Sequence, residues 1–485
     1  MTNLSGTNLN NGAAVGPQGE GRDSPSRFPK YPAYKDSGVE WLGEVPEHWT
    51  VIALKWLSPV FRGASPRPID DPIYFDDEGE FGWVRIADVT ASPDGYLYET
   101  TQKLSALGSS LSVKLDPGEL FLSIAGSVGK PCITKIKACI HDGFVYFPWL
   151  SIDQRLLYRV FESGLCFGGL GKMGTQLNLN TDTVGGIIIA VPPAPELSKA
   201  LTFLDHETAR IDALIEEQQR LIELLKEKRQ AVISHAVTKG LDSTVPMKDS
   251  GVEWLGEVPA HWSVHQLKRA IAMIESGTSV NAADYPAETG SLGVLKTSCV
   301  YTGAFDWREN KTVDQEDLGR VSCPLIENTL IVSRMNTPDL VGATGLVSEA
   351  PEGIFLPDRL WQVYIEQDHF PSFIFYFTKS PEYREQVKVA CSGTSSSMQN
   401  LGQDDFRSLL FVQPPLLEQI EIASFLDGET RKLDLLIEEA AAGVVLLNER
   451  RSALISAAVT GKIDVRGWQP PASTQTPEFE VAEAH

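Results

Sequence analysis

From Leu204 onward, apolar residues recur at alternating spacings of four and three. One seam runs Leu204, Ile211, Gln218, Leu225, Val232, and its companion runs Thr208, Ile215, Ile222, Arg229, Ala236. This heptad pattern predicts a long helix with another helix along its seam. The same register returns at Leu426, Leu433, Ala440, Leu447, Leu454, with Thr430, Ile437, Val444, Arg451, Ala458 beside it. Each stretch follows a proline pair, Pro192-Pro193 and Pro414-Pro415, and proline is tolerated in the first turn of a helix but not in its interior. Roughly 40 residues at 1.5 Å per residue make a rod of about 60 Å. The pattern therefore predicts an antiparallel coiled coil, its seam built from Leu204, Ile211, Ile215, Ile222 and Leu225 against Leu426, Leu433, Ile437, Val444 and Leu447. Leu214 and Leu221 widen the stripe and leave apolar surface for further helices.

Elsewhere the periodicity shortens. Trp83-Val84-Arg85-Ile86, Leu120 to Ile124 and Ile187-Ile188-Ile189 are β-branched or aromatic runs bounded by turn residues, and predict strands. Asp153 to Phe161 and Pro371 to Val389 have a helical pattern. The segments before each long helix are thus mixed domains of ordinary size.

The chain also repeats itself. Lys35 to Trp49 (KDSGVEWLGEVPEHW) recurs at Lys248 to Trp262 (KDSGVEWLGEVPAHW) with one difference in fifteen. Downstream, Phe203-Leu204-Asp205 through Glu217 matches Phe425-Leu426-Asp427 through Glu439, and the likeness persists to Thr238 and Thr460. Residues 51–190 and 264–411 have similar lengths but little shared sequence. A weak echo joins them: Gly118 to Ser123 beside Glu327 to Ser333, each followed by a glycine-containing loop. The frame is duplicated and its inserts differ.

The fold class is therefore α+β: two mixed α/β domains separated by two long helices in an antiparallel coiled coil, with pseudo-two-fold internal duplication. The segments are 1–30, a disordered leader; 31–190, opener and first domain; 191–245, first long helix; 246–411, opener and second domain; 412–466, second long helix; and 467–485, a flexible tail. More than one core is expected, because single cores stop growing near roughly 250 to 300 residues.

Composition narrows the function. No run of about 18 apolar residues suggests a membrane span, and the Asn-, Gly-, Ser- and Pro-rich start lacks the basic and apolar parts of a secretory signal. Cys132, Cys139, Cys166, Cys299, Cys323 and Cys391 show no C-x-x-C spacing, which argues against a zinc site or disulfide framework and fits a reducing cytoplasm. The net charge of -22 runs against the basic balance of most nucleic-acid binders.

Motifs that imply chemistry fail on context. Gly169-x-Gly171-x-x-Gly174 follows a helical stretch and precedes an extended one, the reverse of a dinucleotide site. Ala125 to Lys130 (AGSVGK) resembles a phosphate loop, but Ile124 stands where its first glycine belongs and Pro131 replaces the Ser or Thr; it predicts a turn between strands. His48 and His261, beside Trp49 and Trp262 in the openers, are expected to be packed structural residues. No metal cluster forms around the eight histidines, and no adenine-methyltransferase tetrapeptide occurs.

The doubled opener D-S-G-V-E-W-L-G-E-V-P-x-H-W and the doubled helix P-P…E…F-L-D-x-E-T-x-x-(I/L)-D-x-L-I-E-E…A-V-T resemble the specificity subunit of type I restriction-modification systems, over about residues 31 to 466. The resemblance implies a cytoplasmic, non-catalytic protein whose two inserts are target-recognition domains, each reading half of a split site in double-stranded DNA. It implies two modification subunits (adenine methyltransferases) and restriction subunits (translocase-nucleases) as partners. S-adenosylmethionine, ATP and Mg are then expected in those partners, with no cofactor or metal bound by this chain. The first helix departs from the pattern at its start, reading Pro192-Pro193-Ala194-Pro195-Glu196 where the second reads Pro414-Pro415-Leu416-Leu417-Glu418.

Neither insert is basic overall: residues 51–190 hold 12 Lys and Arg against 15 Asp and Glu, and residues 264–411 hold 12 against 19. Binding must come from local clusters and from partners, so DNA binding by this chain alone is expected to be weak. The candidate contacts are polar residues in glycine-rich loops: Arg62, Arg67, Lys130, Lys172 and Gln176, then Arg334, Asn336, Thr394, Ser397 and Gln399. Arginine suits guanine and Asn or Gln suits adenine in the major groove. The alternative reading is a coiled-coil scaffold whose two domains bind proteins or peptides, which the negative charge favours.

Overall fold

Two helices dominate the computed structural model, Ala194–Lys239 of 46 residues and Leu416–Val459 of 44. The structure describes residues 28–92, 94–170, 179–395 and 398–470, so most of the expected leader and tail lies outside it. Both helices run back to the prolines, about ten residues before the heptads become regular. Leu197, Leu201 and Phe203 are buried there, and that burial extends the helix beyond what the seam alone predicts.

The chain divides into two units, Met1–Glu217 with Gly443–His485, and Gln218–Ala442. Each unit takes part of both long helices. In the first, one core unites Leu204 and Ile211 from the first helix with Leu454, Ile455 and Val459 from the end of the second. In the second, Ile233, Ala236 and Val237 from the end of the first helix share a core with Ile422, Ala423 and Leu426 from the start of the second. Start beside end in both units is antiparallel pairing. All ten seam leucines, isoleucines and valines are buried or half-buried, whereas Leu214 and Leu221 are exposed.

In the first unit the opener forms a hairpin, Tyr34–Asp36 with Glu44–Pro46. Thr50–Ala53 then pairs antiparallel with Ile188–Val191, bringing the two ends of the insert together beside the helix start. The insert holds a five-stranded sheet, in the order Phe61–Arg62, Phe144–Tyr146, Leu120–Ser123, Pro131–Thr134, Tyr96–Leu97. A four-stranded sheet follows the order Gln102–Leu104, Phe81–Val84, Ala138–Ile140, Val113–Leu115. Helix Gln154–Glu162 packs Leu157, Val160 and Phe161 into the main core, and a smaller cluster around Val84, Phe121, Ile140 and Phe144 includes residues of both sheets. The run Trp83 to Ile86 is strand only as far as Val84. The Asp88 side chain accepts the Arg85 N–H at 2.8 Å while the Asp88 N–H donates to the Arg85 carbonyl at 3.1 Å, which starts a short helix at Ile86, and a turn closed in this way competes with strand extension.

The second unit repeats the frame. Met247–Asp249 pairs with Glu257–Pro259, and Ser263–Gln266 pairs with Leu410–Gln413. Its insert has two four-stranded sheets and a three-stranded one made by Met335–Asn336, Met398–Asn400 and Ser392–Ser395. Two helices, Pro371–Phe377 and Pro381–Ala390, stand where the first insert has helix Gln154–Glu162.

The openers bind the helix starts. Glu196 is buried and accepts hydrogen bonds from Tyr31 Oη at 2.6 Å and Trp49 Nε1 at 2.7 Å, with His48 Nε2 at 2.8 Å. Its counterpart Glu418 meets His261 Nε2 at 2.9 Å, and the buried Trp262 Nε1 has no partner among the described residues. The histidines are thus structural. Each helix ends at a left-handed glycine against an opener: Gly461 has φ +71°, and a Cβ there would lie 2.3 Å from Pro46 Cδ. Only glycine fits such a cap.

Candidate nucleic-acid interface

The echo between the inserts is a shared clasp. Leu120–Ser123 and Leu330–Ser333 are both fully buried strands. In the first insert Ser123 N donates to Lys130 O at 3.0 Å, and Gly129 N donates to Ser123 O at 2.8 Å. In the second, Ser333 N donates to Ala343 O at 2.8 Å, and Gly342 N donates to Ser333 O at 2.7 Å. Gly129 and Gly342 both have positive φ, and a Cβ on Gly342 would come 2.7 Å from Val387 Cγ1. Between these clasps the loops differ: Ile124 to Val128 in one, Arg334 to Val341 in the other. The AGSVGK stretch is a turn between antiparallel strands, Leu120–Ser123 and Pro131–Thr134.

In the second insert the loop is held firmly. Arg334 Nε donates to Asp358 O at 2.7 Å, and Arg384 Nη2 donates to Pro338 O at 2.7 Å. Met335–Asn336 pairs with the strand Met398–Asn400, which places Gln399 opposite Asn336. Asn336 is buried, and its Nδ2 donates to Tyr301 Oη at 2.8 Å and to Ser333 Oγ at 3.1 Å, while Oδ1 accepts from Thr337 N at 2.9 Å. Its amide hydrogens are committed to the fold. Half-buried Arg334 and Gln399 remain the better placed of the sequence candidates here. Ser397 lies outside the described residues, and of Thr394 only the backbone strand is described.

In the first insert, Arg62 and Arg67 converge on one residue. Arg62 Nε donates to the Asp142 carbonyl, Arg67 Nη2 reaches Asp142 Oδ2 at 3.2 Å, and Ser65 Oγ donates to Asp142 Oδ1 at 2.9 Å. The Ser65 hydrogen bond, with the two arginines adding to it, holds the Asp142 carboxyl below its usual value. Burial lowers the pKa of neighbouring His141, and Arg85 lowers it further. Lys130 is half-buried and donates to Thr90 O at 3.3 Å. Lys172 and Gln176 lie outside the described residues. Sequence reasoning missed Arg85 and Gln102. Exposed Arg85 donates through Nη2 to Gln102 Oε1, and the strand register sets Trp83 opposite Gln102. Nothing in the linear sequence signals that pairing.

Among the described residues no group of three or more His, Cys, Asp or Glu could hold a metal ion, and no helix is long and apolar enough to cross a membrane.

No protein-family model matches the chain. The type I restriction enzyme EcoKI specificity subunit of Escherichia coli K12 is 22% identical over 447 residues, spanning 88% of this chain and 91% of that one. The chain is thus similar along most of its length to a specificity subunit of a type I restriction enzyme. The EcoEI specificity subunit of Escherichia coli is 21% identical over 214 residues, 44% of this chain and 36% of that one. A protein solved in work on complex assembly and conformational transition of the type I R-M system has a similar fold. Its TM-score is 0.61 at 15% identity, covering 86% of this chain and 98% of that one.

Proposed function

We infer that this chain is the DNA sequence-specificity subunit of a type I restriction-modification complex. Likeness to the EcoKI specificity subunit along nearly the whole of both chains carries the reading. The chain is not itself catalytic and acts with other subunits of the system.

The finer assignments are supported by geometry. Double-stranded DNA is the ligand of the two inserts, each reading half of a split site. The loops between the Ser123 and Gly129 clasp and between the Ser333 and Gly342 clasp are suited to reading, because a constant base carries a different segment in each insert. Arg62, Arg67 and Arg85 in one insert, and Arg334 and Gln399 in the other, supply the donors that phosphates and guanine or adenine edges take. Two modification subunits dock along the long helices. Leu221, Leu224, Leu435 and Leu436 in one unit, and Leu214, Val445 and Leu446 in the other, are exposed there, and apolar patches of this kind mark protein interfaces. Restriction subunits join the same assembly, and the partners hold S-adenosylmethionine, ATP and Mg.

The test is co-expression with a modification subunit, followed by sequencing of methylated adenines in host DNA. A split motif with a fixed spacer, lost when the gene is deleted, is the expected result. Unchanged methylation despite a stable complex would favour the scaffold reading.

A further inference from the structure

Beside helix Pro381–Ala390 in the second unit lies an open trough of about 640 Å³, closed on its other sides by helix Gln403–Ser408 and the tip of the second opener. Its apolar lining includes Trp254, Val389 and Leu409, with Trp254 43% exposed and Val389 88% exposed. Its charged lining is entirely acidic: Glu382, Glu385 and Asp405, with no Lys or Arg among the lining residues. Glu382 Oε1 accepts a hydrogen bond from Ser234 at 2.6 Å, while its Oε2 is buried without a partner among the described residues. An apolar trough edged by the exposed carboxylates of Glu385 and Asp405 is complementary to a large apolar side chain next to a cation.

The first unit is built differently at the corresponding place. Trp41, which corresponds to Trp254 in the repeated opener, is half-buried and packs against two hydrophobic clusters of its own unit. After helix Gln154–Glu162 the first insert has the three-residue turn Leu165–Phe167, where the second has a ten-residue helix. The trough therefore serves an occupant present once per chain. Ser234 belongs to the first long helix, about 15 Å along it from exposed Leu224, so a subunit lying on that leucine also comes near the trough wall.

We propose that the trough docks a segment of one modification subunit, a segment that presents a large apolar residue beside a Lys or Arg. The two modification subunits are then held unequally, one having an extra contact at the second unit. This inference rests on the function assigned above.

Val389→Asp and Glu385→Lys test it, since both side chains are exposed and neither substitution removes a core contact. The full chain is co-expressed with its modification subunit, and stoichiometry is read by native mass spectrometry across a dilution series. Wild type is expected to hold two copies, and each variant to lose one copy at a concentration at least tenfold higher, retaining the other as wild type does. Two copies retained at wild-type dilution in both variants would overturn the proposal, and so would equal weakening of both copies. A chain lacking residues 1–27 whose Trp254 becomes newly accessible to quencher would show that the leader fills the trough, which also overturns it. Wild-type chain that holds no modification subunit would sink the functional reading itself.

Discussion

Arg451 Nε, on the second long helix, lies 2.7 Å from Asp212 Oδ1 on the first, and in the other unit Arg229 reaches Asp434. These are corresponding residues of the internal repeat. Both arginines occupy seam positions of the heptad, where an apolar side chain is the default, and an ion pair there fixes register in a seam that would otherwise tolerate sliding. The two pairs are not equal. The Arg451 side chain is 19% exposed and also binds Glu162 at 2.9 Å, whereas the Arg229 side chain is 40% exposed.

Replacing Arg451 with Met is accordingly expected to cost about 2 to 3 kcal/mol, because it strips a donor from Glu162 and leaves Asp212 without its partner. Arg229→Met is expected to cost under about 1 kcal/mol, as for an exposed pair. Urea unfolding of the two variants checks the asymmetry. Equal losses would show that burial does not separate them.

Glu196→Ala is expected to destabilise the chain more than Glu418→Ala, by about 1 to 2 kcal/mol, since it orphans the buried Tyr31 hydroxyl and Trp49 indole. Burial pushes the Glu196 carboxyl up, but the Tyr31, His48 and Trp49 hydrogen bonds outweigh it and hold the pKa below the ordinary value of 4.5. A lowered folded-state pKa contributes stability that is present above the unfolded value and lost as pH falls through the folded one. Thermal melts between pH 7 and pH 3 should therefore show a steeper acid loss in wild type than in the Glu196 variant.

Lys379 presents a case of opposite charge. Its ammonium donates to Thr344 O at 2.5 Å and lies 4.6 Å from the centre of the Phe375 ring. Burial, with Arg229 nearby, pushes its pKa down to about 7 from 10.5. Between those values the unfolded chain binds the additional proton, so stability rises with pH from about 7 toward 10. Lys379→Met is expected to raise the melting temperature more at pH 6.5 than at pH 9. An equal gain at both would mean that the lysine keeps its ordinary pKa in the fold.

Inserting one heptad into each long helix, near Gln218 and near Ala440, preserves the seam and lengthens each rod by about 10.5 Å. At 3.4 Å per base pair along a strand, that corresponds to about three more base pairs. Sequencing of methylated adenines should show the same half-sites with a longer spacer, and an unchanged spacer would refute the idea that helix length sets the distance between the two reading domains.

Arg334→Ala should relax reading at one position of one half-site, by about 1 to 3 kcal/mol of discrimination, and leave the other half-site unchanged. The same sequencing reports it directly. Relaxation at both half-sites would instead point to a general loss of binding.

The sequence by itself determined the frame. Heptads at Leu204 and Leu426, prolines before each helix and an opener repeated almost residue for residue are local patterns, and local patterns survive in one dimension because helix periodicity and turn chemistry act between near neighbours. The same reasoning reached the strand at Leu120, the echo of its sequence up to Ser333 and the turn at Ala125 to Lys130. What lay beyond it was decided by contacts distant in sequence. Only the tertiary structure sets Glu196 under Tyr31 and Trp49, gathers Arg62 and Arg67 onto Asp142, and puts Gln102 beside Arg85 through strand register. It also seals Asn336 inside the fold and opens a trough at Trp254, whose opener differs from the first by one residue in fifteen. Side-chain accessibility depends on what the rest of the chain packs around a residue, and two nearly identical openers acquire different surroundings because their inserts differ.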